Sequence, residues 1–173
     1  TIDRSLYLDK KTLRFMGDAS VYAAIAMKKA IDSAKLTPDL VSSRTTGLIV
    51  GSEGMSAESM YGDLKAFWKR GIRGISPFLI FKTMPNTVAA SLSSLYKIKG
   101  VSYSLNSACA TGTHCICNAA DLIRSGSQDI VFAGGGDEES WMQSMLFDRI
   151  GALSTKYNDT PERASRPYDE NRN

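Results

Sequence analysis

The sequence predicts an α/β layered fold built on a mostly parallel sheet. Helix-period segments alternate with short buried runs along most of the chain, the pattern of strands joined by crossover helices. Of 173 residues, 43% are hydrophobic and 23% charged, ordinary globular usage that excludes disordered and collagen-like chains. No run approaches the roughly 20 apolar residues of a membrane helix. The length fits one domain, with or without a small extension. A net charge of +3 is too mild to indicate nucleic acid. Three cysteines, two of them two positions apart, make no disulfide framework, so a reduced, cytoplasmic setting is expected. Thr1-Ile2-Asp3-Arg4 carries no basic stretch and apolar core, so no signal peptide is read there.

Taken in order, Asp18 is placed to cap a helix over residues 19–35, with Ile25, Ala26, Ala30, Ile31 and Ala34 on its apolar face. Thr37-Pro38 ends it. TGLIVG, residues 46–51, reads as a short buried strand. A second helix is expected over 57–70, with Met60, Leu64, Phe67 and Trp68 spaced for packing. Pro85 suits the first turn of a third helix reaching Tyr96. VSYSLN, 101–106, alternates as a strand does, and a fourth helix runs from Cys109 to Arg124, closed by Ser125-Gly126. DIVFA, 129–133, is a buried strand leading into Gly134-Gly135-Gly136. The last residues, 156–173, are polar and lack a closing signal, so the sequence reads as cut there.

The sharpest chemical feature is Asn106-Ser107-Ala108-Cys109-Ala110-Thr111-Gly112-Thr113. A strand enters a turn of small residues, and a cysteine then opens a helix. Small neighbours leave the sulfur open, and the helix amino terminus favours thiolate over thiol. The N–H groups there also suit an oxyanion formed when a thioester is attacked. The competing reading is a small cysteine that merely packs. His114, five residues on, sits about 140° round the helix and does not reach back to the sulfur. It is the only histidine, so a Cys–His hydrolase has no distant base. His114, Cys115 and Cys117 lack metal-ligand spacing and are read as helix-packing residues. Gly134-Gly135-Gly136-Asp137 and Gly51-Ser52-Glu53-Gly54 match no phosphate-loop spacing, and close backbone packing is the better account of the first.

Ser107-Ala108-Cys109-Ala110-Thr111-Gly112 resembles the nucleophile motif of the β-ketoacyl-[acyl carrier protein] synthases. QDIVFAGGG at 128–136, GALSTKYNDTP at 151–161 and ASRPYD at 164–169 resemble the segments that follow it in that family, in the same order. The likeness runs from about residue 3 to 172 and is strongest to the type I bacterial enzymes. It implies the amino-terminal half of a thiolase-like fold, with the first strand and the carboxyl-terminal half absent. It implies that Cys109 takes an acyl group from a carrier thioester and condenses it with malonyl-carrier protein in fatty acid elongation, without metal or cofactor. Phe147 matches the family position lining the acyl pocket, and Met84 is a candidate beside it, with core packing the competing reading of both. Lys10, Lys11 and Arg14, with Lys69, Arg70 and Arg73, resemble the basic patches that face the acidic acyl carrier protein. A homodimer pairing through residues 101–106 is expected. The family's two catalytic histidines, its lysine and its glycine-rich loop belong to the second half. The alternative is a catalytically silent half-enzyme or a carrier-binding or dimerisation partner.

Overall fold

The computed structural model describes residues 2–53 and 56–173. The chain forms two compact units, Thr1–Glu138 and Glu139–Asn173.

In the first unit, three strands make one parallel sheet in the order β2-β1-β3: β1 is Thr46–Gly51, β2 Ser102–Tyr103 and β3 Ile130–Gly135. β1 is central and buried at all six positions, so its sequence is apolar on both faces and does not alternate. Among the described residues, seven α-helices accompany it: α1 (Lys10–Leu13), α2 (Asp18–Ser33), α3 (Pro38–Val41), α4 (Ala57–Arg70), α5 (Ile80–Thr83), α6 (Thr87–Tyr96) and α7 (Thr111–Arg124). Leu48 and Val50 pack on Val21, Ile25 and Met27 of α2 and Val88 and Leu92 of α6. Ile49, pointing the other way, packs on Cys115 and Ala119 of α7. Period-two alternation along β1 thus divides the core into two layers, one on each face of the sheet. Leu48, Ile49 and Leu92 are almost wholly buried, and such burial stabilises by about 1.5–3 kcal/mol per side chain. The Tyr96 hydroxyl donates to the Ala24 carbonyl at 2.7 Å and ties α6 to α2.

Several expectations shift. Asp18 is the first residue of α2, not its cap; Gly17 holds the cap position and makes no side-chain bond. The Asp18 carboxylate is instead gripped by both terminal nitrogens of Arg4 at 2.6 Å, and that pairing raises the Arg4 pKa. Of the expected α2 face, Ile25 is buried and Ile31 packs at the core edge, but Ala26, Ala30 and Ala34 are exposed. The buried part of α2 is its first half, where the helix crosses β1 and α6. α4 has the expected bounds and no buried residue: Leu64, Phe67 and Trp68 are 38, 40 and 71% exposed. The third helix begins at Thr87, after Pro85 and Asn86. Only Ser102 and Tyr103 of the 101–106 segment pair with β1, because the chain then turns away toward α7. β3 runs on through Gly134 and Gly135.

The second unit holds α8 (Trp141–Arg149), capped by the Ser140 hydroxyl accepting from the Gln143 N–H. A 3₁₀ turn, Pro161–Arg163, follows. Its polar tail is ordered locally: the Arg166 guanidinium stacks 4.7 Å from the Tyr157 ring centre. Asn173 Oδ1 accepts the Thr155 and Lys156 N–H groups at 2.8 Å.

Candidate active site

Parallel strands deliver their following loops to one edge of the sheet, where sites on such sheets are commonly built. Here the segments after β1, β2 and β3 are knitted into one hydrogen-bonded cluster. Asn106 Nδ2 donates to the carbonyls of Ser52 (2.9 Å) and Glu53 (3.2 Å). From the β3 side, Asp137 Oδ1 accepts the Ser52 hydroxyl (2.9 Å) and the Glu53 N–H (2.7 Å). The neighbouring Glu138 carboxylate accepts the Ala57 and Glu58 N–H groups at the start of α4. Gly54, which closes the second glycine-bearing loop considered in the sequence, lies outside the described residues.

Cys109 stands in the turn after β2, exposed. It does not open the helix as expected: α7 begins two residues later at Thr111, because Ala108 breaks the run with a left-handed φ of +49°. That conformation costs a non-glycine residue about 1–2 kcal/mol, and two side chains hold it. Asn106 Oδ1 accepts the Ala108 N–H at 3.1 Å. The Thr111 hydroxyl donates to the Ala108 carbonyl at 2.7 Å and accepts the Ser107 N–H at 2.9 Å. α7 approaches β3 closely behind the turn: a Cβ on Gly135 would lie 3.5 Å from Gly112 Cα and N. Close packing holds for part of the glycine run: a Cβ on Gly136 would lie 3.1 Å from the Ala19 carbonyl oxygen and Ala23 Cβ, whereas one on Gly134 meets nothing within 4 Å.

The three residues read as helix packing divide. Cys115 is fully buried against Ile49, and burial pushes its thiol up, offset in part by backbone bonding at Gly51 and Gly134. Cys117 is exposed. His114 is exposed too, with Nδ1 2.6 Å from the Ser107 hydroxyl. The turn folds back over the helix, which helical spacing alone does not reveal.

Of the other expected site residues, Met84 ends α5 and is 42% exposed, and Phe147 lies on α8 in the second unit, 37% exposed. Neither belongs to the hydrogen-bonded cluster. Lys10, Lys11, Arg14, Arg70 and Arg73 are exposed, and none forms an ion pair among the described residues. Asn106, Thr111, Asp137 and Glu138 escaped the sequence reading as site-builders. Their signal was faint: short polar side chains next to turns, the residues that bond local backbone.

Residues 5–171 match the family model for the β-ketoacyl synthase N-terminal domain. The chain belongs to the β-ketoacyl synthase family. It is 49% identical over 172 residues to 3-oxoacyl-[acyl-carrier-protein] synthase 1 of Haemophilus influenzae, covering 99% of this chain and 42% of that protein. The enzyme of the same name from Escherichia coli K12 is 47% identical over 173 residues, 99% and 43% of the two chains. Among solved structures, a β-ketoacyl synthase from Burkholderia phymatum superposes with a TM-score of 0.83 at 30% identity, over 99% of this chain and 42% of the other. The N-terminal part of the thiolase-like ketosynthase fold, expected from the sequence, is therefore present. The chain spans somewhat under half the length of these relatives.

Proposed function

We propose that this chain is the nucleophile-bearing part of a β-ketoacyl-[acyl carrier protein] synthase that elongates fatty acids in the cytoplasm. The observation that carries the reading is the exposed Cys109 in a clamped turn just ahead of α7, at the edge where the three strand-end loops meet. In the first step the Cys109 sulfur attacks the carbonyl carbon of an acyl-carrier thioester. The bond to the carrier's phosphopantetheine sulfur breaks, that thiol leaves, and the acyl group stays on Cys109. The Cys109 N–H supplies one donor to the oxyanion formed on the way. In the second step malonyl-carrier protein loses carbon dioxide, and the resulting carbanion displaces Cys109 from the acyl carbon. That step needs hydrogen-bond donors on the enolate oxygen. His114, the only histidine of the 173 residues, is engaged with Ser107, and the family resemblance assigns these donors to histidines of its second half. The names of the relatives support the carrier-linked substrate. Met84 and Phe147 remain candidates for the acyl pocket.

The test is intact-mass and peptide mass spectrometry of the full-length protein after exposure to an acyl-carrier thioester. One acyl group is expected on Cys109 and none in Cys109→Ala. An adduct on Cys117, which is also exposed, with Cys109 unmodified, would overturn the reading.

A further inference from the structure

We propose that Asn106 is a positioning residue for Cys109, acting through the backbone of Ala108. The inference rests on Cys109 being the acylated residue. Ala108 directly precedes the nucleophile and holds φ +49°, a region an alanine leaves unless its peptide groups are held. Both groups are held: the N–H by Asn106 and the carbonyl by Thr111. Thr111 is buried and belongs to α7, so it fixes the turn to the helix that follows. Asn106 does something Thr111 does not. Its other amide atom grips the Ser52 and Glu53 carbonyls, and this loop is itself fastened to Asp137. One side chain therefore transmits the position of the β1 and β3 loops to the peptide that aims the sulfur. The carboxamide is the group for this: one acceptor and two donors on a single short arm.

A specific coupling follows. If Asn106 acts by holding residue 108 left-handed, a residue that adopts that conformation freely makes Asn106 dispensable. Glycine is that residue. In the full-length protein, Asn106→Ala is expected to slow single-turnover acylation of Cys109 by about 10- to 100-fold, the scale of a misaimed reacting group. Alkylation by iodoacetamide, which makes no demand on aim, should change by less than about 3-fold, because Cys109 stays exposed. Ala108→Gly alone supplies the rate against which the double variant is read. The double variant Asn106→Ala/Ala108→Gly should recover at least about tenfold of the loss. Amide hydrogen exchange at residue 108 should quicken about tenfold in Asn106→Ala, having lost its acceptor.

Parent-like acylation by Asn106→Ala would overturn the proposal, and so would a double variant as slow as the single one. Should Asn106→Ala fail to fold, Asn106→Ser with and without Ala108→Gly supplies the same comparison. The two readings fail separately. A parent protein that takes no acyl group at Cys109 defeats the proposed function, whereas unchanged exchange at residue 108 defeats the grip of Asn106 whatever the activity.

Discussion

Within the span of α7 and the turn before it, three cysteines meet two environments. Cys109 and Cys117 are exposed, while Cys115 has no exposed surface. Native protein treated with iodoacetamide should be modified at Cys109 and Cys117, with Cys115 reacting only after unfolding. Peptide mapping after a timed quench checks this. Burial also gives Cys115 a pH signature. Its pKa is raised in the fold, so the native state holds the proton more tightly than the unfolded chain. The stabilisation is full below the ordinary thiol range near pH ~8.5 and is lost as pH rises through the raised value. The melting temperature should therefore fall on going from pH 8 to pH 10, and the fall should be shallower in Cys115→Ala. Tyr96, raised chiefly by burial, adds a decline of the same sign that the variant keeps. At this scale the exposed setting of Cys109 between a strand and a helix was legible, because small residues around a cysteine are visible in the letters. His114 was not. Its partner Ser107 lies outside the helix, and only the left-handed step at Ala108 brings the two together.

Strands and helices show the same split between local and tertiary information. The bounds of β1 and α4 could be read because an apolar run between turn signals, and a serine ahead of a periodic segment, are local features. The buried face of α2 could not, since which alanines are covered depends on where β1 and α6 cross it. α4 is the clearer case: its apolar spacing is real, yet Trp68 and Phe67 meet solvent within this chain. Glycines mark where elements touch. A Cβ on Gly51 would run into the Leu105 carbonyl oxygen and Thr111 Cγ2, whereas one on Gly62, midway along α4, meets nothing within 4 Å. Gly51→Ala should destabilise by about 3 kcal/mol or more, because backbone and a buried side chain must both move. Gly62→Ala should stabilise by about 0.5–1 kcal/mol through helix propensity and a less flexible unfolded chain. Denaturant melts of the two variants against the parent check both signs.

For the whole molecule, the sequence carried the fold class because strand and helix alternation survives without tertiary detail, and it carried the family through four motifs in order. It did not carry the cross-loop bonds of Asn106 and Asp137, which join residues more than fifty positions apart. Two proposals belong to this scale. Lys11 and Arg73 are exposed and form no salt bridge among the described residues, which suits a surface that steers an acidic carrier. Reversing both to Glu in the full-length protein should slow carrier association by about tenfold at low salt and much less at high salt, with acylation by a small thioester unchanged. Stopped-flow binding across a salt series measures it. β2 lies at the edge of the sheet with one side unpaired among the described residues, which supports a homodimer formed through that edge. Ser102→Lys should then lower the sedimenting mass of the full-length protein toward the monomer. Asp137 and Glu138 hold the two ends of the β1–α4 connection, one at Ser52 and Glu53, the other at Ala57 and Glu58. During synthesis these grips arrive last, some eighty positions after the loop they close. A nascent chain that has made β1, β2 and α7 but not yet residue 138 therefore presents Cys109 before the loops around it are tied together.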